Sequence, residues 1–525
     1  MPDPDDVARE PDVSSANDGR VPIRARYEPS PTTAEPALRA WSDRRLAEPG
    51  PFRPRFMVYS GLGSPAMTAE RLAVLQEVGA EAFQLATDLP TQLGFDPDHE
   101  LAHAQVGRAG VSCATLDDFA TICSRLDLEA ADSLGMLQNS LGHVALGMVH
   151  SVLADRGATQ TKLLMQNDPL KEFTARGTEI HTPEQALRIA ADCVAFAIDE
   201  GMPGAALTVC SNHYDVAGAG PVVAVAFAFG NAIAYMDELV GRGYAPAAVA
   251  EKFMFFLNER SDMFVEASIF RTARVLWSEI LRDRYGLEVA EQPVAVMMGY
   301  AHGLESADEP LVNIPRVTLS VLGSVLGGVD YLCATGYDEA LRIPSVDAAA
   351  LAVRTMQVVA YEHGVATSID PLAGSAKLRD IDDHVQSEVR AELKRLFDEG
   401  GPLEAIENGY LTARIDENRG ARQDQLRRGE RQMVGHGVFD APERASYFAG
   451  KSTGEVDFPE VERDAVERVG EHKRRRDSAL VERSLKDVRM AAAGDENLVR
   501  PAIGALRAGA TSAEIVAATR EGFEE

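Results

Sequence analysis

Between residues 68 and 364 the chain alternates short apolar runs with helix-patterned stretches, and no other feature of the sequence limits the fold so strongly. The runs are EAFQLAT (81–87), GVSCA (110–114), SLGML (133–137), KLLMQ (162–166), ALTVC (206–210), KFMFFL (252–257), PVAVMM (293–298) and VDYLC (329–333). Stretches such as TAERLAVLQEVG (68–79), TPEQALRIAADCVAFAIDEG (182–201) and AALAVRTMQVVAYEHG (349–364) carry a helical apolar period. A strand that is always followed by a helix returns as a parallel neighbour. Eight such repeats over about 300 residues predict an α/β fold, a (β/α)8 TIM barrel followed by a helical C-terminal region, rather than an open doubly wound sheet. No GxGxxG follows the first run and no GxxxxGK[ST] occurs, so dinucleotide and P-loop readings lack their main support.

The flanks differ in texture. Residues 1–50, rich in Pro, Asp, Arg and Ala, read as an extended arm; 51–380 hold the substrate-binding barrel; 381–525 read as charged helices, a solvated face or the docking surface for a second subunit. The 52 basic and 81 acidic residues leave a net charge of −29, which disfavours nucleic acid and anionic membrane surfaces as partners. No uninterrupted apolar run reaches the ~18 residues of a membrane span, and the acidic start MPDPDDVARE is unlike a signal peptide, so a cytoplasmic location is expected. Five cysteines without a CxxC pair read as reduced core thiols.

Barrel chemistry sits at the C-terminal strand ends, and polar residues collect there. Thr87 and Asp88 follow one run; Gln138 and Asn139 another; then come Gln166, Asn167 and Asp168, Ser211, Asn212 and His213, Asn258, Tyr300, and Thr335 with Glu339. Any one of them suits a helix cap. Their recurrence at equivalent ends is better explained by a polar cavity lining. His213 is the leading catalytic candidate, placed to donate a hydrogen bond to a substrate carbonyl. Arg176 has the chemistry to hold a carboxylate bidentately. His99-Glu100-Leu101-Ala102-His103 matches HExxH, but a zinc peptidase needs both histidines on one helix face and a third ligand, and neither is apparent.

Several ordered blocks together carry a family likeness. DLPTQLGFDPDHELAHAQVGRAGV (88–111), MQNDPLKEFTARGTEIHTPE (165–184), EASIFRTARVLW (266–277), PLVNIPRVTLSVLGSVLGGVDYL (310–332), GYDEALRIP (336–344), RTMQVVAYEHGV (354–365), DPLAGS (370–375), RGERQMVGHGVF (428–439) and the tail RAGATSAEIVAATREGFEE (507–525) resemble the adenosylcobalamin-dependent acyl-CoA mutases, the methylmalonyl-CoA mutase type, in its catalytic large subunit. The resemblance implies a barrel facing the corrin of adenosylcobalamin, and a radical rearrangement of a carbon skeleton. It implies that His213 bonds the substrate carbonyl, that Gln166 faces the substrate, that Glu339 holds the adenosyl ribose, and that Tyr59 and Arg176 grip a free carboxylate. Asp88 is expected on the cofactor side.

Departures from the family pattern concentrate on thioester contacts. An aromatic residue of the family becomes Asn212, a basic contact to coenzyme A becomes Met57, and a threonine hydroxyl is lost at Leu137, beside Asn139. Back-counting from PLVNI places Met297–Tyr300 where the family has a histidine and a glutamine, so Met297 and Tyr300 are expected on the substrate surface. These changes point to a carboxylate-bearing acyl group carried by something other than coenzyme A, on a carrier protein or as a free acid. No DxHxxG cobalt-binding motif occurs, and His436 has the wrong context for it. The resemblance therefore implies a small, separate B12-binding subunit and a hetero-oligomer or dimer. A mutase-like scaffold without catalysis is the alternative reading.

Overall fold

The computed structural model describes residues 35–48, 52–259, 262–302, 305–430, 432–435, 437–439 and 456–524, with the short pair Asp12–Ser14 and Ile23–Arg24. His436 lies outside the described residues. The barrel strands are β1 (Arg55–Ser60), β2 (Ala82–Ala86), β3 (Ser133–Leu137), β4 (Lys162–Leu164), β5 in two halves (Gly204–Ala205 and Leu207–Cys210), β6 (Phe253–Glu259), β7 (Val296–Ala301) and β8 (Tyr331–Ala334). All neighbours pair in parallel. The halves of β5 are the two outer members of this sheet, one paired with β4 and the other with β6. Only Ala206 separates them in the chain, so the sheet comes round on itself there.

The expected barrel is present, with one exchange among its strands. GVSCA (110–114) is a loop: Val111 N donates to Ala86 O at 2.9 Å and Asp88 N donates to Val111 O at 3.0 Å, folding the segment across the end of β2. A Cβ on Gly110 would stand 2.3 Å from the Thr87 carbonyl, so this close approach admits only glycine. RFMVYS supplies the missing strand as β1, between β2 and β8.

Alternation along the strands separates two cores. Phe56, Phe83, Met136, Leu163, Val209, Phe255 and Met297 face the helical shell. Met57, Ala82, Leu164, Cys210, Met254, Phe256, Met298, Tyr331 and Cys333 fill the interior. Trp277 packs edge-on to Phe255 at 4.9 Å and stacks with Phe229 at 5.9 Å in the shell; truncating such a residue to Ala costs about 3–5 kcal/mol. All five cysteines are buried, and none is in a disulfide.

At the N-terminal end of the barrel, Asp132 receives Lys162 at 3.0 Å, Arg55 at 3.5 Å and the Tyr331 hydroxyl at 2.7 Å. The segment expected as an extended arm contains a helix, Pro36–Ala47, started by proline at its first position. Trp41 sits against Gly328 and under the Arg274 guanidinium, 4.7 Å from the ring, while Arg44 reaches Asp330 at 3.1 Å. Burial of this aromatic overrides the weak amphipathic pattern of the segment.

Two helices, Pro221–Gly241 and Pro310–Gly327, are long and apolar enough by composition to cross a membrane. Neither is an uninterrupted apolar run, and Pro221–Gly241 is mostly buried between β5 and the helices Pro183–Asp199 and Ala376–Asp398. The C-terminal helices Phe458–Arg475, Ser478–Ala493, Val499–Ala508 and Ser512–Glu524 pack on the barrel. Part of their charge is paired with it: Arg468–Asp118 at 2.7 Å, Lys473–Asp96 at 2.8 Å and Arg507–Asp155 at 2.8 Å.

Two buried histidines lie under the last helix. His143 Nε2 meets Thr519 Oγ1 at 3.2 Å, and His181 packs edge-on to Phe523 at 5.7 Å. Burial pushes His143 down to about 3 and His181 down to about 4. Both stay neutral in the fold and protonate near 6.5 once unfolded, so the unfolded chain binds more protons below that pH. Stability should therefore fall as pH drops from about 6.5 toward 4, with Ser512–Glu524 released early. Hydrogen exchange at pH 7 and pH 4.5 checks this; equal protection of that helix at both values would refute it.

Candidate active site

Strand closure brings the polar strand ends into one mouth. Gln138, Asn139, Gln166, Asn212 and His213 each have a buried side-chain nitrogen or oxygen without a hydrogen-bond partner among the described residues, whereas Asn167 packs against Gly142 and Cys193 of the shell. Buried polar atoms are normally paired, so this clustering marks groups that await a ligand or ordered water. Leu137 ends β3 on the interior side, because its neighbour Met136 belongs to the shell. Gln166 follows β4 and joins β3 through its carbonyl, which accepts from Gln138 N at 3.2 Å.

Asn212 and His213 open the short helix Asn212–Ala217 directly after β5. The His213 ring is held well below the ordinary imidazole range, first by desolvation and then by the Lys171 and Arg176 cations and His302. It is therefore a neutral imidazole at physiological pH, able to donate one hydrogen bond and accept another.

Arg176 ends a single wide turn, Glu172–Arg176, closed by Gly177 N donating to Glu172 O at 2.8 Å. Such turns recur at functional positions. Its Nη1 donates to Gln92 Oε1 at 2.9 Å and stands 3.5 Å from Glu172 Oε2. Glu172 also accepts from Lys171 Nζ and Thr178 Oγ1. The Tyr59 hydroxyl is raised by burial, and the nearby Arg176 cation opposes that rise. Tyr59 packs edge-on to Tyr300 at 6.4 Å, and Tyr300 stacks on His302 at 5.0 Å.

Beside this group a cavity of about 70 Å3 enters between β1 and β8. Tyr59, Arg71, Tyr300, Thr335 and Glu339 form its polar side, and Leu75, Ile343 and Val353 line its apolar side. Arg71 Nε donates to Ser60 Oγ at 2.7 Å. Desolvation, followed by the neighbouring Glu305 and Asp338 carboxylates, pushes Glu339 up to about 8, against the opposing Arg71 cation.

Tyr59, Leu137, Asn139, Gln166, Arg176, Asn212, His213, Tyr300 and Glu339 lie at the mouth end of the strands, with Tyr300 within β7 rather than after it. Met297 does not: it packs in the outer shell, because strand parity gives the interior to Met298 and Tyr300. Asp88 is buried as a loop organiser, with Oδ1 accepting from Thr91 N at 3.0 Å and Oδ2 from Gly107 N at 2.7 Å. Both oxygens are thereby engaged with backbone rather than turned to a cofactor. The HExxH residues form one 3-10 turn: His99 Nδ1 accepts from Leu101 N and its ring stacks on Phe95, while His103 meets Glu462 at 2.7 Å. That geometry does not place two histidines on one helix face. Sequence reading missed Gln92, Lys171, Arg71 and His302. Strand alternation from Tyr300 would have found His302, whereas no local pattern marks Lys171, which is fully buried.

The site is that of a barrel enzyme with an enclosed polar mouth, a neutral histidine and an arginine–tyrosine pair. The methylmalonyl-CoA mutase family model matches residues 55–525, and the chain belongs to that family, whose members are isomerases. It is 29% identical to the 2-hydroxyisobutanoyl-CoA mutase large subunit of Aquincola tertiaricarbonis, over 97% of this chain and 88% of that one. It is 30% identical to an ethylmalonyl-CoA mutase of Cereibacter sphaeroides, over 85% of this chain and 69% of that protein. Identity to the Escherichia coli methylmalonyl-CoA mutase is 28%, over 85% of this chain and 62% of the relative, so the chain spans less than two thirds of that protein.

Glu339 gives a direct check of the site's electrostatics. Its neutral form is favoured in the fold, so the folded state binds more protons than the unfolded one between about pH 4.5 and 8, and stability declines as pH rises through that window. Glu339→Gln should raise Tm at pH 8.5 and leave it nearly unchanged at pH 5. A carbon NMR titration of Glu339 with its midpoint near 4.5 would contradict the assignment.

Proposed function

We propose that this chain is the large, substrate-binding subunit of an adenosylcobalamin-dependent mutase that rearranges a carboxylate-bearing acyl thioester or acid. The observation that carries the reading is the arginine–tyrosine pair facing neutral His213 inside the mouth. Arg176 and Tyr59 supply donors for the free carboxylate. His213 donates its hydrogen bond to the acyl carbonyl without protonating it, because its charge is suppressed. The unpaired amides of Gln138, Asn139, Gln166 and Asn212 hold the remaining polar atoms of the substrate or its carrier arm.

The residues present also fit a nucleoside-bearing cofactor. Glu339 and Thr335 offer hydrogen bonds to sugar hydroxyls, and the apolar slot of Leu75, Ile343 and Val353 suits a flat base. When bound, adenosylcobalamin supplies a carbon radical through its weak cobalt–carbon bond. The chain's part is to position the substrate against that centre and to exclude water. The cobalamin itself is assigned to a small partner subunit, in keeping with one relative being the large subunit of its mutase.

The interior cluster of Met57, Met254, Phe256, Met298 and Tyr331 favours a free acid, while the lost coenzyme A contact at Met57 leaves a carrier-bound acyl group as the other form. Bulky side chains there fill the barrel axis, so the acyl group is received at the mouth, and a free acid needs no channel along that axis. The test combines the chain with adenosylcobalamin and a small cobalamin-binding subunit. Substrate should generate a paramagnetic Co(II)–radical signal and an isomerised carboxylic product. Arg176→Leu should lower kcat/KM about 100-fold by removing a charge-assisted pair, and His213→Ala should lower kcat about 100-fold. Arg176→Leu with wild-type kcat/KM, or no cobalamin-dependent turnover with any partner, would sink the proposal.

A further inference from the structure

We infer that Gln92 sets the charge specificity of the mouth, holding Arg176 through a neutral contact and so reserving its cation for a ligand carboxylate. This rests on the carboxylate reading above. Gln92 ends the short helix Leu89–Gln92, which Asp88 caps at its start. Its side chain is fixed at both ends: Nε2 donates to Thr87 O at 2.6 Å, and Oε1 accepts from Arg176 Nη1 at 2.9 Å. The backbone carbonyl requires a donor and the guanidinium an acceptor, so only one orientation of the amide satisfies both.

The arginine's other contact is weaker. Glu172 is the one carboxylate within ion-pair distance of Arg176 among the described residues, at 3.5 Å, and it is shared with Lys171 and Thr178. Arg176 Nε and Nη2 and the Tyr59 hydroxyl have no protein hydrogen-bond partner among the described residues, and these are the groups left to a ligand. A carboxylate in place of the Gln92 amide would give the guanidinium an internal anion at its shortest contact. An incoming carboxylate would then meet a neutralised arginine and a like charge beside it. Gln92 is a positioning residue, acting on the ligand only through Arg176.

The test uses the full chain and two probes, methylmalonyl-pantetheine and isobutyryl-pantetheine, which differ by the carboxylate. Calorimetric titration gives an affinity ratio for each variant. The wild type should prefer the carboxylate probe, and Arg176→Leu should bring the ratio near one. Gln92→Glu should lower the ratio about tenfold while leaving the neutral probe's affinity within about twofold. A purely structural role for Gln92 would weaken both probes together and leave the ratio intact, which overturns the inference. Absence of any preference in the wild type instead overturns the carboxylate reading. If Gln92→Glu does not fold, Gln92→Met decides: it frees the arginine's rotamers, so the ratio should fall about threefold, and an unchanged ratio refutes the role of Gln92.

Discussion

Closure of the parallel sheet at Ala206 is the constraint on which the rest depends. An open sheet would spread its strand ends along an edge. Meeting β4 and β6 through the two halves of β5 gathers all eight ends around one axis. Tyr59 and Glu339 are already neighbours through the pairing of β1 with β8, and closure brings Arg176 and His213 round to the same mouth. The outer shell, with Trp277 among Phe229, Phe253 and Phe255, holds the curvature in place.

The same closure makes the mouth electrostatically divided. On one side burial, and then the Lys171 and Arg176 cations, suppress protonation of His213. On the other side carboxylates crowd together, and Glu339 retains its proton beyond the usual range. Tyr59 and Tyr300, packed edge to face, lie near both groups, with Glu172 balancing the cations and Arg71 opposing the carboxylates. A substrate anion and a hydroxyl-rich cofactor thus find different walls of one chamber. Burial first, and neighbouring charges second, give each group its chemistry.

Much of this was legible in the sequence, for identifiable reasons. Apolar runs bounded by polar ends found seven of the eight strands, because buried parallel strands are continuously hydrophobic. RFMVYS escaped although Phe56–Tyr59 is an uninterrupted apolar run, because GVSCA imitated a strand and completed the count while forming a tight loop at Gly110. Site residues at strand ends were found by position. Met297 was misplaced because counting from a distant block cannot settle which face of a strand a residue takes, and a shift of one reverses it. Asp88 was read from its setting, but its bonds to Thr91 and Gly107 arise from a fold-back that no local pattern encodes. The helix Pro36–Ala47 was hidden because its stability comes from Trp41 docking on Gly328 and Arg274, a tertiary contact.

The methionine-rich interior has a mechanical consequence. Met57, Met254 and Met298 are unbranched and adaptable, while Tyr331 is tethered to Asp132 at the closed end. A vessel with a stoppered base and compliant walls adapts its depth to its contents without changing its rim. Traffic in and out then passes the rim alone, and whatever rests across that rim becomes the valve for both arrival and departure.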